Sequence, residues 1–139
     1  MTIDPALVTR KLLLISADLD PLRTIHAKGR DAFLVSPFDQ AVAERLIERT
    51  VTRMIDVNYH LITGSGLPPP ADYHTSFVQL RELGVLDVAF ATRIARAAGL
   101  RNRLVHDYDD IDADKVYDGL EAALTDVPTY VARVNDFLK

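Results

Sequence analysis

The stretch SPFDQAVAERLIERTVTRMIDVNYHLITGSGLPPP, Ser36 to Pro70, decides the fold class. Ser36 can accept from the free amides at the start of a helix. Pro37, with a fixed φ and no amide proton, suits the first helical position. Phe38, Ala41, Val42, Leu46 and Ile47 then recur at helical spacing, and Ile55, Tyr59 and Ile62 continue the same face. GSGLPPP cannot extend the helix, because three prolines remove amides and crowd the preceding turns. The stretch therefore predicts one long helix from Ser36 or Pro37 to about Thr63. No run of the chain alternates apolar and polar residues with period two, so no sheet is expected.

Four further helices follow from the same reading. The first runs from Asp4 or Pro5 to Ala27, capped by Asp4. Its stripe is Leu7, Leu14, Ile15, Leu19, Leu22 and Ile25 with Lys11 at the edge, and a kink or break is predicted at Pro21. Lys28 to Ser36 reads as a loop. The third spans about Tyr73 to Leu83 and ends at Gly84, with Phe77 and Leu80 inward. The fourth starts near Asp87 and carries Val88, Phe90, Ala91, Ile94 and Ala97 to Gly99, with continuation beyond Gly99 left open. The fifth starts near Asp112 or Asp114 and ends at Leu138. Val116, Leu120, Ala123, Leu124, Val127, Tyr130, Val131 and Val134 mark its inner face, and Pro128 predicts a kink. The fold class expected is all-α: an antiparallel bundle of about five helices, with residues 1–139 as one helical domain.

Composition narrows the function. A chain of 139 residues fits one domain and buries about two-thirds of its unfolded surface. Its net charge of −4 argues against a broadly basic nucleic-acid binder, so any RNA contact has to be local. With no cysteine there is neither a disulfide nor a thiolate zinc site. No apolar run approaches the roughly 20 residues of a membrane span. Leu12 to Ile15 is followed at once by Asp18 and Asp20, which does not read as a secretory signal. A soluble, cytoplasmic protein is expected. His26 and His74 read as surface histidines. No His pair has metal-binding spacing, and the run Asp107, Asp109, Asp110, Asp112 and Asp114 lacks the glycine and closing glutamate of a calcium loop. Those aspartates are expected to end one helix and cap the next, and neither metal nor cofactor is expected.

In the long second helix Arg45, Arg49, Arg53, Asp56 and His60 advance by three or four residues and form one polar stripe. The stripe can be a solvated face with Arg53–Asp56 or Asp56–His60 pairs. It can instead lie beside the fourth helix, where Asp56 or an arginine supports groups there, or present Arg45, Arg49 and Arg53 to RNA. Spacing does not choose among these readings.

The densest chemistry lies in GLRNRLVHDY, Gly99 to Tyr108. At about 100° per residue, Asn102 and His106 share a helix face, and Arg101 and Tyr108 nearly eclipse. Arg101 and His106 are about 140° apart. A joint role then needs Arg101 to wrap around, the helix to distort, or a second subunit to complete the site. Histidine moves protons near neutral pH, and arginine offers phosphate a planar cationic fork. Together they could cleave a phosphodiester without metal, with His106 handling a proton on an attacking or leaving oxygen and Arg101 stabilising phosphoryl charge. Arg and His near a helix C-terminus also favour the helix dipole, so a purely structural role fits the residue types as well.

Arg101-Asn102, three residues, His106, one residue and Tyr108 resemble the Arg–x4–His–x–Tyr motif of HEPN domains, and most of all HepT-like toxins. The likeness extends to the arginine-bearing second helix, the Gly/Pro loop, LRELGVLD, GLRNRLVHDYDDID and the final amphipathic helix. Leu100 departs from it, standing where relatives commonly have an aromatic. The resemblance implies a homodimer with both motifs near a shared cleft. It also implies metal-independent ribonuclease activity by Arg101 and His106, with Asn102 in support. The implied partner is a minimal nucleotidyltransferase (MNT) antitoxin that uses ATP to adenylylate Tyr108. The alternative is a non-catalytic helical binding module that assembles with a nucleotidyltransferase.

Overall fold

The computed structural model describes residues 2–139, apart from the side chain of Tyr108. The described residues form α1 Pro5–Ala27, α2 Arg30–Leu34, α3 Pro37–Gly64, α4 Tyr73–Gln79, α5 Val88–Ile94, α6 Arg96–His106 and α7 Ala113–Leu138, with a 3-10 turn at Tyr108–Asp110 and no strand among them. None of these helices is long and apolar enough to cross a membrane.

The caps are where the sequence puts them. Asp4 Oδ1 accepts from the amides of Ala6 and Leu7, Ser36 Oγ from that of Asp39, and Asp112 Oδ1 from that of Asp114. Pro21 and Pro128 break neither α1 nor α7. The expected loop from Lys28 to Ser36 instead contains α2, whose five residues are too few to show a period. Gly29, with φ 93°, makes the turn that separates α1 from α2. The expected fourth helix is split at Ala95. Its second part, α6, passes straight through Gly99. The described residues therefore form seven α-helical segments where the sequence predicts about five helices, the two extra being the short α2 and the part split off at Ala95.

Three long helices set the frame. Asp18 of α1 meets Arg49 and Arg53 of α3, Lys11 meets Asp56, and the Asp4 amide meets His60, so α1 and α3 run antiparallel. The start of α7 lies beside the end of α1, where the Tyr117 hydroxyl donates to the His26 carbonyl and the His26 ring stacks on Tyr117. α7 thus also runs against α1, which leaves α3 and α7 parallel. Sequential loop lengths could not show that pairing. Where α6 crosses α7, a Cβ at Gly119 would meet the tip of the Leu100 side chain, so glycine leaves room for that side chain.

One contiguous core fills the space between these helices. In α1 it uses Val8 and Leu12, while the expected Leu14 stays exposed; Phe38 and Val88, also expected inside, are exposed as well. At its centre Tyr130 is fully buried. Its hydroxyl lies 2.6 Å from Asn58 Oδ1 and 3.1 Å from the Met54 carbonyl. Asn58 Nδ2 donates to Ser76 Oγ at 3.1 Å, and Ser76 donates to the Tyr73 carbonyl at 2.7 Å. This chain of hydrogen bonds ties α7 through α3 to the first turn of α4. Burial pushes the Tyr130 hydroxyl well above the ordinary tyrosine range, which keeps it a neutral donor.

Asp18 is the second buried polar centre. Arg49 grips its carboxylate with two hydrogen bonds of 2.6 and 2.8 Å, and Arg53 adds one of 2.8 Å. Burial pushes the carboxyl up, but the hydrogen bonds and charges of both arginines outweigh it, so the net shift is below the usual aspartate value. A folded-state value below the unfolded one stabilises the fold above the unfolded value of about 3.9. That stability is lost as pH falls through the folded value. Asp18→Ala is expected to cost about 2 kcal/mol at pH 7, discounted from a fully buried pair because Arg49 is partly exposed. Denaturant unfolding should show the deficit shrinking below about pH 4; a deficit as large at acid pH contradicts the ion-pair origin.

Candidate active site

α6 is a regular helix over Arg96–His106, which removes helix distortion as a way to unite Arg101 with His106. The two side chains go to different places, as the angular spacing predicts. Arg101 is half-buried and turns toward α3 and α4. Its Nε donates to Thr52 Oγ1 at 3.0 Å, and its guanidinium carbon sits 5.1 Å from the centre of the Tyr73 ring. Nη1 and Nη2 make no hydrogen bond among the described residues, so the outer edge of the fork is open. Asn102 and His106 are exposed on the other side, with Arg103 one turn before His106. Among the described residues the Asn102 amide and the His106 ring are not bonded to each other. They share a face, but the expected orienting bond is not formed within one chain.

α6 ends at His106, and Asp107 leaves helical geometry with φ −121° and ψ 32°. The helix on which an eclipse of Arg101 and Tyr108 is expected therefore stops before Tyr108, whose backbone opens the following 3-10 turn. The expected modification at the Tyr108 side chain lies outside the described residues. Asp112 caps α7 and Asp114 pairs with Arg30 at 3.0 Å, as expected for an acidic run that separates two helices. No group of three or more metal-binding side chains is assembled among the described residues.

The polar stripe of α3 is not wholly solvated, because most of it is engaged in ion pairs and hydrogen bonds within the bundle. Arg49 and Arg53 are spent on Asp18, and only Arg45, paired with Glu48 at 3.3 Å, remains well exposed. Asp56 pairs with Lys11 at 3.1 Å rather than with Arg53 or His60, and His60 Nε2 accepts from the Asp4 amide at 2.8 Å. Asp56 nevertheless lines a pocket that Arg101 of the motif helix also lines. A pocket of about 340 Å³ is lined by Thr52, Ile55, Asp56, Tyr59, Tyr73 and Arg101. Tyr59 and Tyr73 meet edge to face at 6.1 Å, and the Tyr59 hydroxyl donates to the Pro70 carbonyl at 3.4 Å. A larger cavity of about 430 Å³ between α3, α6 and α7 includes neither Arg101 nor His106.

Sequence reasoning missed Thr52, Tyr59 and Tyr73 as neighbours of Arg101. Thr52 could have been found by extending the α3 stripe back one turn from Asp56. Tyr73 carried no such signal, because only the packing of α4 brings it to Arg101.

The fold and this helix define a class: an all-α bundle that carries an Arg–x4–His motif on one regular helix, with the arginine turned inward and the histidine exposed. The chain belongs to the family described as Ribonuclease HepT-like, whose model matches residues 15–134, a span that includes the whole motif. It is 34% identical over 136 residues to the tRNA nuclease HepT of Aphanizomenon flos-aquae, covering 98% of this chain and 92% of that protein. Among solved structures, the tri-AMPylated Shewanella oneidensis HEPN toxin in complex with MNT antitoxin superposes with a TM-score of 0.84 at 20% identity, covering 93% of this chain and 96% of that one. Bacillus subtilis YutE also gives 0.84, at 16% identity, covering 99% and 93%. At such low identity these two structures establish the HEPN-like fold alone.

Proposed function

We propose that the chain is the ribonuclease toxin of a toxin–antitoxin pair, cleaving RNA without metal at a centre built from Arg101 and His106. The observation that carries this reading is family membership over a span containing an intact Arg101–Asn102–His106–Tyr108 motif. Two features of α6 support it. The Nη edge of Arg101 is open to a phosphate, while the exposed His106 is free to meet an attacking or leaving oxygen. Arg101 neutralises charge developing on the phosphoryl oxygens, and His106 transfers the proton. Asn102, on the face of His106, is a supporting group.

Because α6 is regular and Arg101 is held by Thr52, one chain keeps the two groups apart. A homodimer resolves this, each protomer contributing groups to a common cleft. Arg49 and Arg53, tied to Asp18, act structurally; of the three arginines only Arg45 is free to touch RNA at the periphery. The partner is an MNT-type nucleotidyltransferase. It uses ATP to place an adenylyl group on Tyr108, adding bulk and a negative phosphate beside the motif.

Co-expression tests the pair. Expression of the chain alone should arrest growth. Expression with the nucleotidyltransferase should restore growth, and mass spectrometry should find an adenylyl group on Tyr108. An unmodified Tyr108 in a neutralised pair removes modification as the means of control. Growth unaffected by the chain alone favours the second reading, a non-catalytic module that assembles with the nucleotidyltransferase. The net charge of −4 and the spent arginines of α3 lend that reading its support.

A further inference from the structure

We infer that the 340 Å³ pocket between α3, α4 and α6 is a subsite for one ribonucleotide of an RNA strand, and that it selects bases carrying an exocyclic amine over uracil. The inference rests on the ribonuclease reading for its substrate class, and on the pocket itself for everything else.

The volume falls within the range of about 300–1,000 Å³ typical of small-ligand sites. A nucleotide presents a phosphate, a flat face and a polar edge, and the six lining residues answer each. The phosphate meets Arg101. With Nε committed to Thr52 and the guanidinium carbon 5.1 Å from the centre of the Tyr73 ring, the guanidinium keeps Nη1 and Nη2 for a phosphate. The face meets tyrosine. Tyr73 carries Arg101 yet remains 41% exposed, and the Tyr59 ring lies beside it at an interplanar angle of 80°. Aromatic side chains in this setting stack on unpaired bases.

The edge meets Asp56. Lys11 holds Oδ2 at 3.1 Å, which fixes the carboxylate and leaves Oδ1 as an acceptor. A carboxylate accepts well from the amine of cytosine, adenine or guanine. Uracil has one edge donor, N3–H, flanked by two carbonyl oxygens that repel the carboxylate. Asp56, an acidic group in a pocket meant for a polyanion, is thereby explained as a selector. The two cations Arg101 and Lys11 outweigh its charge, so the pocket remains attractive to phosphate.

Binding of short, labelled oligo(C) and oligo(U) to the full chain tests this, since the two pyrimidines differ little in size. Fluorescence anisotropy is read in a His106→Ala background so that turnover does not obscure binding. Oligo(C) should bind about tenfold tighter than oligo(U). Asp56→Asn should shrink the preference to about twofold, because an amide can also donate to uracil carbonyls. Tyr73→Leu should weaken both by about tenfold. Equal binding of oligo(C) and oligo(U), or a preference that survives Asp56→Asn, overturns the selector. Unchanged affinity in Tyr73→Leu overturns the subsite. Free CMP competing as well as oligo(C) does so for RNA, marking a site for mononucleotides. Thermal unfolding confirms that each variant folds; if Asp56→Asn does not, the parent comparison and Tyr73→Leu decide. Cleavage is read separately with His106 intact. A cytosine preference without cleavage keeps the subsite and removes the ribonuclease reading, while cleavage without the preference does the reverse.

Discussion

Arg101→Ala and His106→Ala are each expected to lower RNA cleavage at least about 100-fold while leaving the helical fold intact. Loss of a cation that stabilises charge forming on a reacting group costs about 10²- to 10³-fold, and loss of a general acid or base about 10²- to 10⁴-fold. Neither side chain is part of the buried core, so circular dichroism should report an unchanged bundle. Arg101→Lys separates two roles of the arginine. Lysine keeps the charge but lacks the planar fork and the Nε–Thr52 bond, so it should recover RNA binding and little of the rate. Asn102→Ala should have a smaller effect, since Asn102 makes no bond to His106 within the chain and its support depends on how the cleft is assembled.

The largest effect on stability is expected at Tyr130. Tyr130→Ala empties the centre of the core and should cost about 3–5 kcal/mol, a large share of the roughly 5–15 kcal/mol that holds such a domain. Tyr130→Phe is the sharper test. It keeps the ring against Phe77 and removes only the hydroxyl that reaches Asn58 and Met54. Asn58 Oδ1 is then left buried without its donor, at a cost of about 1–3 kcal/mol. Denaturant midpoints measure both. A Tyr130→Phe variant as stable as the parent would show that the Tyr130–Asn58–Ser76 chain does not hold α7, α3 and α4 together.

The sequence made the frame legible where local chemistry is self-sufficient. Asp4-Pro5, Ser36-Pro37 and Asp112 mark helix starts, and GSGLPPP marks an end, because caps and prolines act on their own turn. The placement of Arg101 and His106 on different sides of α6 follows from spacing alone. What was illegible depends on partners far along the chain. Arg49 and Arg53 resemble a surface stripe until Asp18, 31 and 35 residues away, closes on them. Tyr73 becomes a neighbour of Arg101 only through the packing of α4 beside α6. The five-residue α2 has no period to read, and Phe38 and Leu14 sit near the border of an apolar stripe whose exact rotation is set by packing. Pro21 and Pro128 each remove one amide, too little to break helices anchored on both sides by the core.

The proposed reaction centre has two halves: Arg101, held from within the bundle, and His106, exposed on the opposite side of the same helix. The most direct test is RNA degradation by the purified chain in EDTA, alongside Arg101→Ala and His106→Ala. Cleavage by the parent that survives EDTA and falls at least about 100-fold in each variant is the expected result. Cleavage that EDTA abolishes, or that either variant carries out at the parent's rate, contradicts a metal-independent centre built from Arg101 and His106.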